Sequence, residues 1–159
     1  MLLNYSVKGY KVFYDEVSFT MIADNYIKKS QDSLIKDVAG KYDLVKSSLI
    51  YGPNNTGKSC FIESFKFFIN IIKEKKISFS KYEKNIFYSE EMPIEFKVEF
   101  SINDVIYYYE ISFTENKVIQ EIFKKNNNVI INRLKNENVA TSIRENLGER
   151  LQNALHTLQ

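Results

Sequence analysis

The sequence predicts an α/β domain, with a mixed sheet around one amphipathic helix and an antiparallel β meander after it, and three observations predict this. Gly52-Pro53-Asn54-Asn55-Thr56-Gly57-Lys58-Ser59 meets the phosphate-loop pattern G-x-x-x-x-G-K-[ST] at every fixed position. Leu49-Ile50-Tyr51 before it is an apolar run of strand type. After it Phe61, Ile62, Phe65, Phe68, Ile69 and Ile72 recur at three- and four-residue steps, with Glu63, Ser64, Lys66 and Asn70 opposite. Further on, Ile94, Phe96, Val98, Phe100 and Ile102 alternate with polar residues, and Val105, Tyr107, Tyr109, Ile111 and Phe113 repeat that period after Asn103-Asp104.

Strand, loop and helix in this order suit phosphate chemistry. Backbone N–H groups can curl around the oxyanions while a helix N-terminus points partial positive charge at them. Gly52 and Gly57 let the backbone approach without a Cβ in the way, and amides from Asn54 to Cys60 supply donors. The expected nucleotide-binding stretch is therefore Gly52, Pro53, Asn54, Asn55, Thr56, Gly57, Lys58, Ser59 and Cys60. Lys58 is expected between the β- and γ-phosphates, solvent-facing and unpaired without ligand, and Ser59 is expected to ligate Mg²⁺. ATP is preferred over GTP. The D-x-x-G at Asp37-Val38-Ala39-Gly40 precedes the loop instead of following it, and no N-K-x-D base reader follows. No catalytic residue is identified.

In order, Leu3, Tyr5 and Val7, then Val17, Phe19 and Met21, predict an N-terminal hairpin over 1–22. Tyr10, Phe13 and Tyr14 fall in its connection, either plugging the sheet edge or stacking on a base. Residues 23–48 read as a polar loop with one weak helical turn and then the start of a strand, 49–76 as strand, loop and helix, and 93–133 as a four-stranded meander. A stripe of Val139, Ile143, Leu147, Leu151, Leu155 and Leu158 predicts a terminal helix over 138–158. His156, the sole histidine, has no ligand cluster around it in sequence.

With 159 residues and 44% hydrophobic content the chain can bury a core as one domain or a part of one, and a net charge of +2 argues for neither nucleic acid nor membrane. Cys60 is the only cysteine, so no intramolecular disulfide forms. No signal-peptide core opens the chain, and no apolar run approaches the ~20 residues that span a bilayer. A cytoplasmic protein is expected.

The chain resembles the ATP-binding-cassette-like ATPases related to structural-maintenance-of-chromosomes, RecF and OLD-type proteins, specifically the bacterial AAA-labelled ATP-binding proteins of the phage-defence type. Three stretches carry the likeness. Residues 5–17 are similar to an opening F-S-V-x-N-F-R-S-F-x-D-x-V, with Gly9 in place of Asn and Lys11 in place of Arg. Residues 49–59 are similar to I-Y-G-P-N-x-x-G-K-S, with Asn55 where Gly or Ala is usual and Cys60 where Asn or Thr is usual. Residues 93–133 are similar to the hairpins that follow the first helix, with Glu121 and Arg133 at matching positions.

The resemblance implies a partial ATPase head of ABC type that binds ATP with Mg²⁺. It covers the family's first part, without the helical arm, signature motif, Walker B strand or switch histidine. Asp15-Glu16 belongs to the opening and is no Walker B. The chain is therefore not expected to hydrolyse ATP alone. Implied partners are a second head or the remaining head segment and, by analogy, an effector nuclease or nucleic acid. The alternative is a non-catalytic interaction or regulatory subunit that retains the fold.

Overall fold

The computed structural model describes residues 1–24, 34–74, 83–87, 92–115 and 117–134. The expected terminal helix over 138–158 and His156 lie outside them. The described elements are strands β1 (Leu2–Lys8), β2 (Val17–Thr20), β3 (Leu34–Val38) and β4 (Tyr42–Val45), helix α1 (Lys58–Glu74), and strands β5 (Ile94–Ile102), β6 (Val105–Phe113), β7 (Val118–Lys125) and β8 (Asn128–Leu134).

Strands β2-β1-β5-β6-β7-β8 form one six-stranded sheet in that order. Every pairing in it is antiparallel, so among the described residues the sheet is not the mixed one the sequence suggests. The meander β5–β8 and the β1–β2 hairpin are a single layer, because β1 lies against β5, with Tyr5 opposite Val98. Short turns set the meander's register. Asn103 and Asp104, and then Asn126 and Asn127, all take positive φ, the conformation that tight hairpin turns need and that Asn and Asp tolerate.

Period-two alternation puts Tyr5, Val7, Phe96, Val98, Phe100, Tyr109, Ile111 and Phe113 on one face, and α1 lies on that face. The helix buries Phe61, Ser64, Phe67, Phe68, Ile71 and Ile72, a stripe rotated from the one the sequence suggests: Ile62 is exposed and Ser64 fully buried. The partner of Ser64 explains the rotation, because its Oγ lies 2.8 Å from the Tyr5 hydroxyl and donates to Phe61 O at 2.6 Å. Phe96 is the centre of the core, with its ring within 6.4 Å of those of Tyr5, Tyr10, Phe67, Phe68 and Phe113. Each such fully buried side chain contributes about 1.5–3 kcal/mol.

Two other segments differ from expectation. In place of a polar loop with a helical turn, β3 and β4 pair as a hairpin whose corner, Ala39 and Gly40, takes positive φ. Val38 and Leu44 bury against Leu3 in a second small cluster, and this burial holds strands that local polarity hides. The Asp37–Gly40 D-x-x-G therefore contains a hairpin corner. Leu49, Ile50 and Tyr51 form no strand among the described residues: residues 47–51 join no sheet, and Leu49 and Tyr51 are 82% and 85% exposed.

Candidate functional site

The 52–59 stretch leaves the sheet-free segment 47–51 and runs into α1, whose first residue is Lys58. The first helical hydrogen bond runs from Phe61 N to Gly57 O (2.9 Å), and the amides of Lys58, Ser59 and Cys60 belong to the opening turn, where N–H groups have no intrahelical acceptor. Those donors, with the helix dipole behind them, suit an anion.

The loop closes on itself through its own polar groups. Thr56 Oγ1 donates to Pro53 O (2.9 Å), and Lys58 Nζ donates to Gly52 O (2.8 Å), to Pro53 O and, more weakly, to Thr56 Oγ1 (3.4 Å). Lys58 is therefore not unpaired in the absence of ligand. Its ammonium is folded over the loop's own carbonyls, which are weaker partners than phosphate oxygens because they carry no formal charge. Asn55 takes φ 62°, the left-handed conformation that Asn tolerates. Gly57 takes φ 88°, and a Cβ built on it would lie 3.2 Å from the Phe13 ring.

A cleft of about 390 Å³ opens beside the loop, with Phe19, Ile50, Tyr51, Thr56 and Lys58 among its walls and Phe13 and Phe61 beneath. Ser59 is exposed next to Lys58, while Cys60 is half-buried, with a free thiol packed against the main core. Among the described residues no group of three or more His, Cys, Asp or Glu could hold a metal ion, so Ser59 has no neighbouring carboxylate cluster there.

Lys11, which stands where the resembling opening has Arg, is tied to α1. Its Nζ is 2.6 Å from Glu63 Oε2 on the outer side of α1 and 5.5 Å from the centre of the Tyr10 ring. The hydrogen bond raises the Lys11 pKa and lowers that of Glu63. Gly9, which departs from the family's Asn, has a steric reason: at φ 75° its Cβ would lie 2.3 Å from Pro93 O.

Two carboxylates of the meander, Glu110 and Glu121, have structural partners. Glu110 accepts from the Tyr108 hydroxyl at 2.7 Å. Glu121, only 8% exposed, accepts from the Tyr109 hydroxyl at 2.9 Å and faces Arg133 across the β7–β8 ladder, with Nη1 at 3.5 Å. Sequence reading missed Phe13 as the floor of the loop. Its only signal is an aromatic residue in the hairpin connection, and the contact spans more than forty positions.

A family described as "AAA domain, putative AbiEii toxin, Type IV TA system" matches residues 47–147, more than half of the chain. The chain belongs to this family. The match begins just before the 52–59 loop and takes in α1 and all of β5–β8, the loop–helix region and the meander together. Membership makes this an AAA-type P-loop domain, a class that binds nucleotides. None of the curated proteins matches the chain. Among the described residues, no helix of this AAA domain is long and apolar enough to cross a membrane.

Proposed function

We propose that the chain binds ATP with Mg²⁺ through Gly52, Pro53, Asn54, Asn55, Thr56, Gly57, Lys58, Ser59 and Cys60, as the N-terminal part of an ABC/SMC-like ATPase head. The observation that carries the reading is the place of Lys58: its ammonium bonds the carbonyls of a loop that runs straight into a helix whose first amides have no intrahelical acceptor. The donor set fits a triphosphate. Lys58 would exchange its carbonyl partners for β- and γ-phosphate oxygens, the amides of 54–60 would hold the remaining oxygens, and the exposed Ser59 hydroxyl would ligate the metal. Bound Mg²⁺ neutralises phosphate charge. The adjoining cleft, walled by Phe19 and Tyr51, suits a flat apolar nucleobase.

The exposure of Leu49 and Tyr51 supports a partner. An apolar segment with no polar face is the pattern of a strand buried on both sides in a parallel sheet. We infer that the remaining head segment or a second head covers it, and that the ABC type, a phage-defence setting, a cytoplasmic location and a nuclease or nucleic-acid effector follow the resemblance. Exposed Ile86 and Phe87 also suit the second reading, a non-catalytic interaction subunit. Titration with Mg-ATP separates the two. Binding abolished by Lys58→Ala supports the head, and an absence of binding in the unmodified chain leaves the interaction subunit.

A further inference from the structure

We propose that Phe13 is a positioning residue for the phosphate loop, holding the backbone of Gly57 from beneath; the inference rests on the nucleotide-binding reading above. Gly57 occupies a conformation that L side chains rarely adopt, and its underside is closed. A Cβ there would lie 3.2 Å from Phe13 Cε1, 3.4 Å from Phe13 Cζ and 3.4 Å from Val12 Cγ2. Gly57 is thus specified by its φ, and a larger residue there would also need the Phe13 ring to give by a few tenths of an ångström.

Phe13 is itself held firmly. It is 9% exposed, and its ring meets that of Phe61, in the first turn of α1, edge-on at 6.3 Å. Its amide donates to Tyr10 O (2.9 Å) and its carbonyl accepts from Gly9 N (2.8 Å), closing a tight turn. That turn is fixed to the 83–87 segment, because Lys11 N donates to Glu83 O (3.1 Å) and Ile86 N donates to Lys11 O (3.0 Å). The Lys11–Glu63 pair then ties the same connection to α1 beyond the loop. One connection therefore lies under Gly57 and touches the following helix at Phe61, Glu63 and Phe67. Burial and the contact with Gly57 make Phe13 a support for the loop and leave base stacking to other rings of the cleft.

Phosphate binding by backbone amides depends on their direction, so a loop that loses its floor should lose affinity without losing any group that touches the ligand. The test compares Phe13→Leu with Phe100→Leu, the same change at a buried β5 ring stacked on Tyr107. Both should lower thermal stability. Only Phe13→Leu should weaken Mg-ATP binding, by about tenfold, and only it should shift the Gly57 and Lys58 amide resonances of the ligand-free protein. Phe13→Tyr, which keeps the ring, should retain the loop resonances of the unmodified chain. If Phe13→Leu leaves Mg-ATP affinity and both resonances unchanged, the positioning role is overturned although nucleotide binding stands. If the unmodified chain does not bind Mg-ATP, the nucleotide reading fails first, and the resonances alone then show whether Phe13 seats the loop.

Discussion

The Tyr5 hydroxyl and Ser64 Oγ lie 2.8 Å apart inside the core, joining β1 to the second turn of α1 across 59 positions of sequence. Both residues are almost fully buried, so neither oxygen has water as a substitute partner. Burial also raises the Tyr5 pKa, so the phenol stays protonated and can donate.

Tyr5→Phe should therefore lower stability by about 1–2 kcal/mol, the cost of a buried hydroxyl losing its cross-element partner. The ring contacts with Phe61 and Phe65 are retained in that variant. Urea denaturation should show a lower midpoint with an unchanged slope. An unchanged midpoint would mean that Ser64 is satisfied by Phe61 O alone.

Glu16 and Lys97, 2.5 Å apart, predict a pH dependence. The Lys97 hydrogen bond holds the Glu16 carboxyl below its ordinary 4.5, and the Glu16 hydrogen bond raises Lys97 above its ordinary 10.5. Between the depressed value and 4.5 the unfolded chain binds more protons than the folded one, so stability rises with pH there. The Glu16 contribution is complete above the ordinary carboxylate range and is lost as pH falls through the depressed value. The Lys97 contribution is complete below 10.5 and is lost as pH rises through the raised value. Both side chains are about a third or more exposed, so the pair contributes only ~0.2–1 kcal/mol. Melting temperatures from pH 3 to 7 should fall less on acidification in Glu16→Gln than in the unmodified chain, and parallel curves would contradict the pairing.

Glu121→Ala should cost about 1–3 kcal/mol, because it leaves the buried Tyr109 hydroxyl without its carboxylate acceptor and Arg133 without its ion pair. Glu121→Gln, which keeps an acceptor oxygen, should cost less. Thermal melts of the two variants check this order, and equal losses would show that geometry around Glu121 contributes little.

The burial of β5 follows the apolar alternation of its sequence up to Phe100, whereas β6 departs from it at Ile106 and Ser112, which are buried although they lie out of phase with Tyr109, Ile111 and Phe113. The direction of α1 was legible in its spacing, but its buried face was not. Ser64 counts as polar locally, and only Tyr5, supplied from β1, makes its burial favourable. The β3–β4 hairpin was hidden for the same reason, as the Leu3 that covers Val38 and Leu44 lies far away in sequence. Leu49, Ile50 and Tyr51 read as a strand from composition, yet a strand needs neighbours, and the described residues provide none. At the candidate site, motif spacing marks the groups that would touch a ligand. It cannot mark Phe13, whose part comes from packing under Gly57.

Hydrolysis should be absent from the isolated chain. Transfer of a phosphoryl group to water needs a carboxylate to orient the nucleophile as well as a loop that holds the nucleotide. Glu110 and Glu121 are engaged by tyrosines within the sheet, and Ser59 has no carboxylate cluster beside it among the described residues. Phosphate release from Mg-ATP should equal that of Lys58→Ala, whereas turnover dependent on Lys58 would reveal a carboxylate not assigned here.

The central claim, that the 52–59 loop holds a nucleoside triphosphate, is tested most directly by calorimetric titration of the purified chain with ATP, with and without Mg²⁺, beside Lys58→Ala. Lys58 is half-exposed and its ligand-free partners are neutral loop oxygens, so the substitution should change ligand-free stability by less than about 1 kcal/mol. The account predicts saturable, Mg²⁺-dependent ATP binding in the unmodified chain and its loss in a folded Lys58→Ala. Equal heats from the two proteins, or no binding by either, would contradict it.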